Sequence, residues 1–416
     1  MPILRRVAGV VFGVCLLAGC AALHPPQQSS APTGPDGKGT KADAVMKVVR
    51  DFMGPAHLRS VIVRVSVDGK EIVTEAVGDS MTGVPASTDM HFRNGAVAIS
   101  YVATLLLKLV DEHKLSLDDK LSKWLPDFPH ADRVTLGQLA QMTSGYPDYV
   151  LGNDEFGDAL YADPFRQWTP QELLAQISSR PLLYEPGTNW NYAHTNHTNY
   201  VLLGLALEKA TGQDMATLLK QKVLAPLGLT ATANSETPSI PDPALHAFSA
   251  ERRAFLKIPA DTPFSEESTF WNPSWTITHG AIQTTTIYDM EATAVGIGSG
   301  KLLSADSYQK MVSTALRGKT RAQPDCPTCF EQSEGYTYGL GIVISGHWLL
   351  QNPLFSGYAA TEAYLPSQRV AIAVALTYTP EAFDDECNYP NQADILFRKI
   401  AAALVPDDAP PMPPGR

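Results

Sequence analysis

The chain has 416 residues, 44% hydrophobic and 18% charged, with a formal net charge of −11. That balance is too apolar for a disordered polymer, and so acidic a surface repels phosphate backbones, which excludes general nucleic-acid binding. After the first twenty residues no stretch approaches about 18 uninterrupted apolar residues, so a polytopic membrane protein is excluded as well. Thirty-two prolines and 30 glycines imply a loop-rich architecture rather than a helical bundle.

Arg5 and Arg6 precede an apolar run over residues 7–17, the pattern of a signal peptide and too short to cross a bilayer. The run ends in Leu17-Ala18-Gly19-Cys20, which resembles the bacterial lipobox and implies that Cys20 is acylated. Residues 1–19 are therefore expected to be a lipoprotein signal peptide, and 20–41, rich in Pro, Ser and Gly, a flexible tether. The folded domain is expected over 42–405, with a disordered tail at 406–416. A helical pattern opens it at ADAVMKVVRDFM. Two alternating β-branched runs then meet at Asp68-Gly69, a hairpin signal. A helix follows over about 96–113, then a long mixed stretch. Strand-like runs return at TYGLGIVIS, ATEAYLPSQ and RVAIAVALTY, before an amphipathic helix, NQADILFRKIAAALV. Strands at both ends around a mostly helical insertion predict an α+β fold whose sheet is assembled from both ends of the chain.

From residue 92 onward the chain resembles the serine β-lactamase and penicillin-binding family, in particular class C-like β-lactamases and D-alanyl-D-alanine carboxypeptidases. The resemblance rests on FRNGAVAISYVATLLLKLVDEHKLSLDDKLSKWLPDF, VTLGQLAQMTSGYPDY, EPGTNWNYAHTNHTNYVLLGLALEKATG, LAPLGLTAT, HGAIQTTTIYDM, YGLGIVIS and GHWLLQNPLFSGYAATEAYLP, in the family's order. It implies an antiparallel sheet flanked by N- and C-terminal helices beside a mostly helical subdomain, the β-lactamase/transpeptidase-like fold. It also implies a chemistry. A serine attacks a carbonyl, and a lysine one helical turn later takes its proton. A second-motif tyrosine shares the proton traffic, and a third-motif strand supplies an oxyanion N–H.

The motif positions are degenerate. Ala96 stands where the nucleophile belongs and Ile99 where the lysine belongs. Tyr192 is kept, followed by Ala193 and His194, but His194-Thr195-Asn196 repeats at once as His197-Thr198-Asn199 and shifts the register against Tyr200. The third motif reads Gln351-Asn352-Pro353, and proline has no N–H and disfavours a central strand. Losing a nucleophile alone costs on the order of a millionfold in rate. The family reaction is therefore expected to be absent, leaving a binder of peptidoglycan or another peptide-like ligand.

Two other readings stay open: a hydrolase with a displaced nucleophile, and a structural lipoprotein whose cleft has closed. Ser100, Ser144 and Ser307 (in Ser307-Tyr308-Gln309-Lys310) are the stand-in serines, and no G-x-S-x-G elbow exists. Neither a metal nor a cofactor is expected, since His194, His197, His279 and His347 have no carboxylate at metal-ligand spacing. The partners expected are a membrane, through the lipid anchor, and the peptide-like ligand, with the protein exported and extracytoplasmic. In an oxidising compartment, Cys387 is expected to pair with Cys329 or with Cys326; a Cys326–Cys329 bond is the remaining option.

Overall fold

Asp68 and Gly69 have φ of +52° and +69°, the left-handed pair that a two-residue hairpin requires. They join β1 (Leu58–Val67) to β2 (Lys70–Met81) in a computed structural model that describes residues 37–192, 195–235, 237–323 and 329–412. The leader, Cys20 and most of the tether lie outside the described residues. Helix α1 (Gly37–Met53) begins a few residues before the expected start of the fold at 42. After β3 (Val84–Pro85), the sheet resumes only near the C-terminus. There it gains β4 (Thr337–Tyr338), β5 (Val343–Ser345), β6 (Trp348–Gln351), β7 (Leu354–Phe355), β8 (Tyr358–Leu365) and β9 (Val370–Tyr378).

Among the described residues these form one antiparallel sheet in the order β3-β2-β1-β9-β8-β6-β5-β4, with β7 paired to β8. Both ends of the chain therefore build it, as expected. Every residue of β8 and β9 is buried, because helices cover both sheet faces. Between the two groups of strands run α2 (Val97–Asp111), α3 (Asn196–Thr211) and α4 (Ile287–Gly298), and α5 (Gln392–Leu404) follows β9.

Strand alternation assigns the faces. Tyr364 pairs with Leu349, and its side chain meets α4: a Cβ added to Gly298 would fall 2.7 Å from the Tyr364 Cβ, so glycine there permits the close approach. Trp348, one residue before Leu349, points the other way, with its ring 5.2 Å from that of Phe397 on α5. Helices α5 and α1, which pack on each other, thus cover one face, and α4 with the helical insertion covers the other. Helix α2 is apolar almost all round, with twelve buried residues from Val97 to Leu109, and it forms the centre of that inner layer.

The expected disordered tail is corrected in part. Residues 406–412 dock on the sheet edge because their carbonyls meet buried donors. Trp348 Nε1 donates to Asp408 O at 2.7 Å, and Arg398 Nη1 donates to Pro411 O. Arg398 also donates to Ser345 Oγ at 2.9 Å and to Asp394 Oδ2 at 3.0 Å, in a pair with side chains 4% and 0% exposed. Breaking such a pair from one side strands a buried charge. Arg398→Met is expected to cost about 3–5 kcal/mol by urea denaturation, and Asp394→Asn added to it should recover part of the loss.

Candidate functional site

The turn entering α2 is anchored by Phe92–Arg93, which pairs with Gln283–Thr285. Gly95 then adopts φ +51°. Val97, Ala98 and Ile99 donate their N–H groups to the carbonyls of Asn94, Gly95 and Ala96 at 3.1, 3.1 and 3.0 Å, which winds the first turn. Ala96 sits at the N-cap, half-buried and with no side chain to cap. Ile99 is fully buried in the main core.

The third-motif positions come to the same place. Pro353 falls in the break between β6 and β7, as its missing N–H predicts. It packs on the α2 turn, where a Cβ added to Gly95 would lie 2.6 Å from the Pro353 Cβ. Its carbonyl accepts from Ala360 N at 3.0 Å and from Asn391 Nδ2 at 3.3 Å, so the break is held in place. Gln351 is buried and donates Nε2 to Gly341 O at 2.7 Å. Gly341 in turn abuts α2, with its Cβ direction 3.1 Å from Ile99 O. Ala96, Ile99, Gln351 and Pro353 therefore gather around one end of α2.

Tyr192 belongs to an aromatic cluster, with ring centroids 6.5 Å from Trp190 and 5.8 Å from Tyr338. Burial pushes its hydroxyl well above the ordinary phenol range, so it is not poised to give up a proton. Asn191 Nδ2 and Trp190 O bond the Gln323 side chain, tying this segment to the loop ahead of Cys329. His194 lies outside the described residues.

Two groups escaped the sequence reading. The first is Asp148, whose side chain is fully buried. Its Oδ1 accepts from Val150 N at 2.9 Å and Leu151 N at 3.0 Å, and its Oδ2 from His197 N at 2.8 Å. It thereby caps α3, whose N-cap Thr195 makes no side-chain capping bond because its hydroxyl donates back to Asn191 O. His197 Nδ1 lies 3.0 Å from Oδ1. Burial opposes the charge on Asp148, but His197 and the backbone donors outweigh it and hold the carboxyl below its ordinary range. It is thus the acceptor, and Nδ1 carries the proton. The second is Glu362, directly across from Gln351 on the inner face. Its Oε1 and that of Gln351 are both buried without a hydrogen-bond partner among the described residues. Burial pushes the Glu362 carboxyl up to about 8, and its charge adds to burial in raising the nearby Tyr101 hydroxyl. An acid inside an apolar strand run was the available signal for Glu362; Asp148 and His197 stand 49 positions apart with nothing linking them.

The stand-in serines are engaged elsewhere. Ser100 donates to Val97 O at 2.7 Å inside α2, Ser144 to Asn199 Oδ1, and Ser307, on the separate helix Ala305–Met311, to Asp111 Oδ1 at 2.6 Å. Among the described residues no group of three or more His, Cys, Asp or Glu is placed to hold a metal ion. The expected pairing of Cys387 is overturned. Cys387 is a free, buried thiol in a loop held by Arg253, whose Nη2 donates to Asp384 O at 3.0 Å and to Asp385 O. Cys329 is disulfide-bonded, and Cys326 lies outside the described residues.

Glu362 links the site to pH. The unfolded carboxyl titrates near 4.5 and the folded one near 8. Between those values the folded chain keeps a proton that the unfolded chain releases, so stability falls as pH rises through this window and levels off above it. Buried Glu251, raised to about 7, adds to the same slope. Glu362→Gln should flatten it, recovering roughly 3 kcal/mol of the loss between pH 5 and 8. Urea denaturation across that range checks this, and an unchanged slope would contradict the assignment.

The sequence profile of the family described as Beta-lactamase matches residues 45–397. Over 202 residues the chain is 30% identical to "Penicillin-binding protein 4" of Amycolatopsis lactamdurans, covering 45% of this chain and 47% of that protein. It is 32% identical over 166 residues to "Esterase EstB" of Burkholderia gladioli, covering 37% and 41%. The chain thus matches less than half the length of either relative. Among solved structures, the D-amino acid amidase from Ochrobactrum anthropi SV3 complexed with D-phenylalanine superposes with a TM-score of 0.70 at 20% identity, over 88% of this chain and 99% of that one. A penicillin-binding protein from Bacillus halodurans gives 0.65 at 18% identity, over 86% and 99%. At those identities the superpositions establish the fold: a mixed α and β architecture with an antiparallel sheet, as the motifs implied. The profile match spans most of the polypeptide, and on that ground the chain belongs to the Beta-lactamase family.

Proposed function

We propose that this protein is an exported, lipid-anchored member of the family whose cleft binds a peptide-like cell-wall ligand without forming an acyl-enzyme. The observation that carries the reading is the end of α2. Ala96 offers no oxygen there, Ile99 is an apolar core residue, and Pro353, which has no N–H, is packed on Gly95. Acyl transfer needs a nucleophile, a base and paired oxyanion donors at one point; here an alanine, an isoleucine and a proline occupy those roles. The buried, hydrogen-bonded states of Ser100, Ser144 and Ser307 weigh against a displaced nucleophile. The relatives' names include an esterase and penicillin-binding proteins, which supports a peptide- or ester-like ligand.

The protein should neither hydrolyse a chromogenic cephalosporin nor gain the mass of a penicillin adduct. Ala96→Ser with Ile99→Lys should restore little, staying at least about 100-fold below an intact site because one oxyanion donor is missing. Robust wild-type turnover abolished by Ser100→Ala would overturn the proposal.

The anchor rests on the lipobox-like Leu17-Ala18-Gly19-Cys20. Cys20→Ala should abolish incorporation of radiolabelled palmitate and leave an uncleaved precursor. A variant that matures and still takes up label would show the anchor reading to be wrong.

A further inference from the structure

The sheet has two ends, and different parts of the chain gather at each. At one end lie the tight turns: Val67 pairs with Lys70, and Val370 pairs with both Val67 and Leu365. The exposed Asp68–Arg369 ion pair, at 2.8 Å, bridges these two turns. At the other end Leu58 pairs with Tyr378, Tyr358 with Thr377, and Phe355 with Tyr358. Pro353 and Phe355 belong to that second end, and both lie against the Cβ direction of Gly95 at the entry to α2. The degenerate motifs therefore gather opposite the turns. The ten residues of β1 set the two ends about 30 Å apart.

Helix α1 fixes the end from which the chain enters. Its last residue, Met53, places Cε 3.0 Å from the Cβ direction of Gly78, and Gly78 pairs with Ser60 at the motif end. One turn earlier, Arg50 meets Glu75 at 3.4 Å, nearer the middle of β2. Followed backward, the helix thus leaves the motifs behind, and its 17 residues, about 25 Å long, bring Gly37 to the turn end. Residues 406–412 arrive at the same place. Asp408 accepts from Trp348 Nε1 at 2.7 Å through its carbonyl, and through its carboxylate from Gln368 Nε2, in the β8–β9 turn, at 2.6 Å. Seventeen steps of chain lead from Cys20 to Gly37. As a coil such a length spans about 23 Å on average, and about 60 Å at full stretch. The average is shorter than the sheet. Lowering the motif end to the surface that holds Cys20 would need an extended chain laid back along the domain, at a cost in conformational freedom.

We propose that the chain presents its turn end to the membrane and holds the cleft at the far end, facing away from the anchoring bilayer. The ligand class follows: a peptide carried on the wall polymer beyond the bilayer, rather than one borne on a lipid of the same membrane. A site at the far end meets what stands off the surface, and the tether sets how far it reaches. The inference rests on the lipid-anchor and ligand-binding readings above and adds to them the direction from which the ligand comes.

The test reconstitutes the acylated full chain in vesicles containing a rhodamine-labelled lipid. A donor dye is placed on Ser367→Cys, exposed in the β8–β9 turn, or on Glu381→Cys, exposed just after β9 at the motif end, both in a Cys387→Ser background. Energy transfer to the bilayer should be at least about twofold more efficient from position 367. Gln368→Cys and Glu386→Cys, also exposed, give a second pair should either variant misfold. Equal or reversed transfer from vesicle-bound protein would overturn the orientation and leave the anchor reading intact. Protein that does not float with the vesicles would overturn the anchor and the orientation together. For the ligand, vesicles carrying the wild-type chain should be captured at least about tenfold better by beads bearing D-alanyl-D-alanine than by bare beads. No capture, with binding instead to the dipeptide attached to a lipid of the same vesicle, would overturn the polymer assignment alone. Binding in neither arm would overturn the cleft reading.

Discussion

The ladder between Leu58–Val67 and Val370–Tyr378 is the constraint on which the remaining structure depends. It pairs residues more than 300 positions apart and places both strands at the middle of the sheet. It is sealed by Ser60 and Thr377, whose hydroxyls meet at 2.7 Å in the interior. The α2 turn is reached shortly after the first of these strands, and Pro353 lies shortly before the second. Gly95 touches Pro353 because the ladder closes. Such non-local pairing carries a large loop-closure cost before any contact rewards it, which is characteristic of slow-folding topologies.

The surroundings of the α2 end are apolar and packed at two points and polar at two others. Ile99 contributes to the core, and Pro353 fills space against Gly95. Gln351 and Glu362 each hold an oxygen that no described residue satisfies, and a carboxyl so placed keeps its proton at neutral pH. Asp148 illustrates the opposite solution. It is just as buried, yet two backbone amides of its own loop, the His197 amide and the His197 ring together keep it ionised. Burial alone does not decide the charge of these two acids. The charges and donors around each one do.

What could be read from the residues follows the same physics. Asp68-Gly69 was legible because positive φ demands particular residues, and residues 392–404 because a helix facing a sheet writes its period into the chain. Strand termination near Pro353 was legible because a missing N–H is a chemical fact about one residue. The Asp148–His197 pair was not, since nothing local links a loop carboxylate to a histidine 49 positions later. Nor was the state of Cys387. Its redox setting argued for a bond, but pairing depends on distance and direction in space, and the loop that Arg253 clamps buries this thiol alone. Nor was the docking of residues 406–412, expected as tail, since the carbonyls of Asp408 and Pro411 find Trp348 and Arg398 only in the folded chain.

The contact between Gly95 and Pro353 also couples two distant positions of the chain. At φ +51° and with the proline Cβ 2.6 Å from the Cβ direction, residue 95 can take no side chain while residue 353 is proline. The two positions are therefore not free to vary separately. A variant given Ser and Lys on α2 would still carry the proline, and replacing the proline would leave an opening beside a glycine turn. Positions 258 residues apart in the chain answer to one another as if they were neighbours.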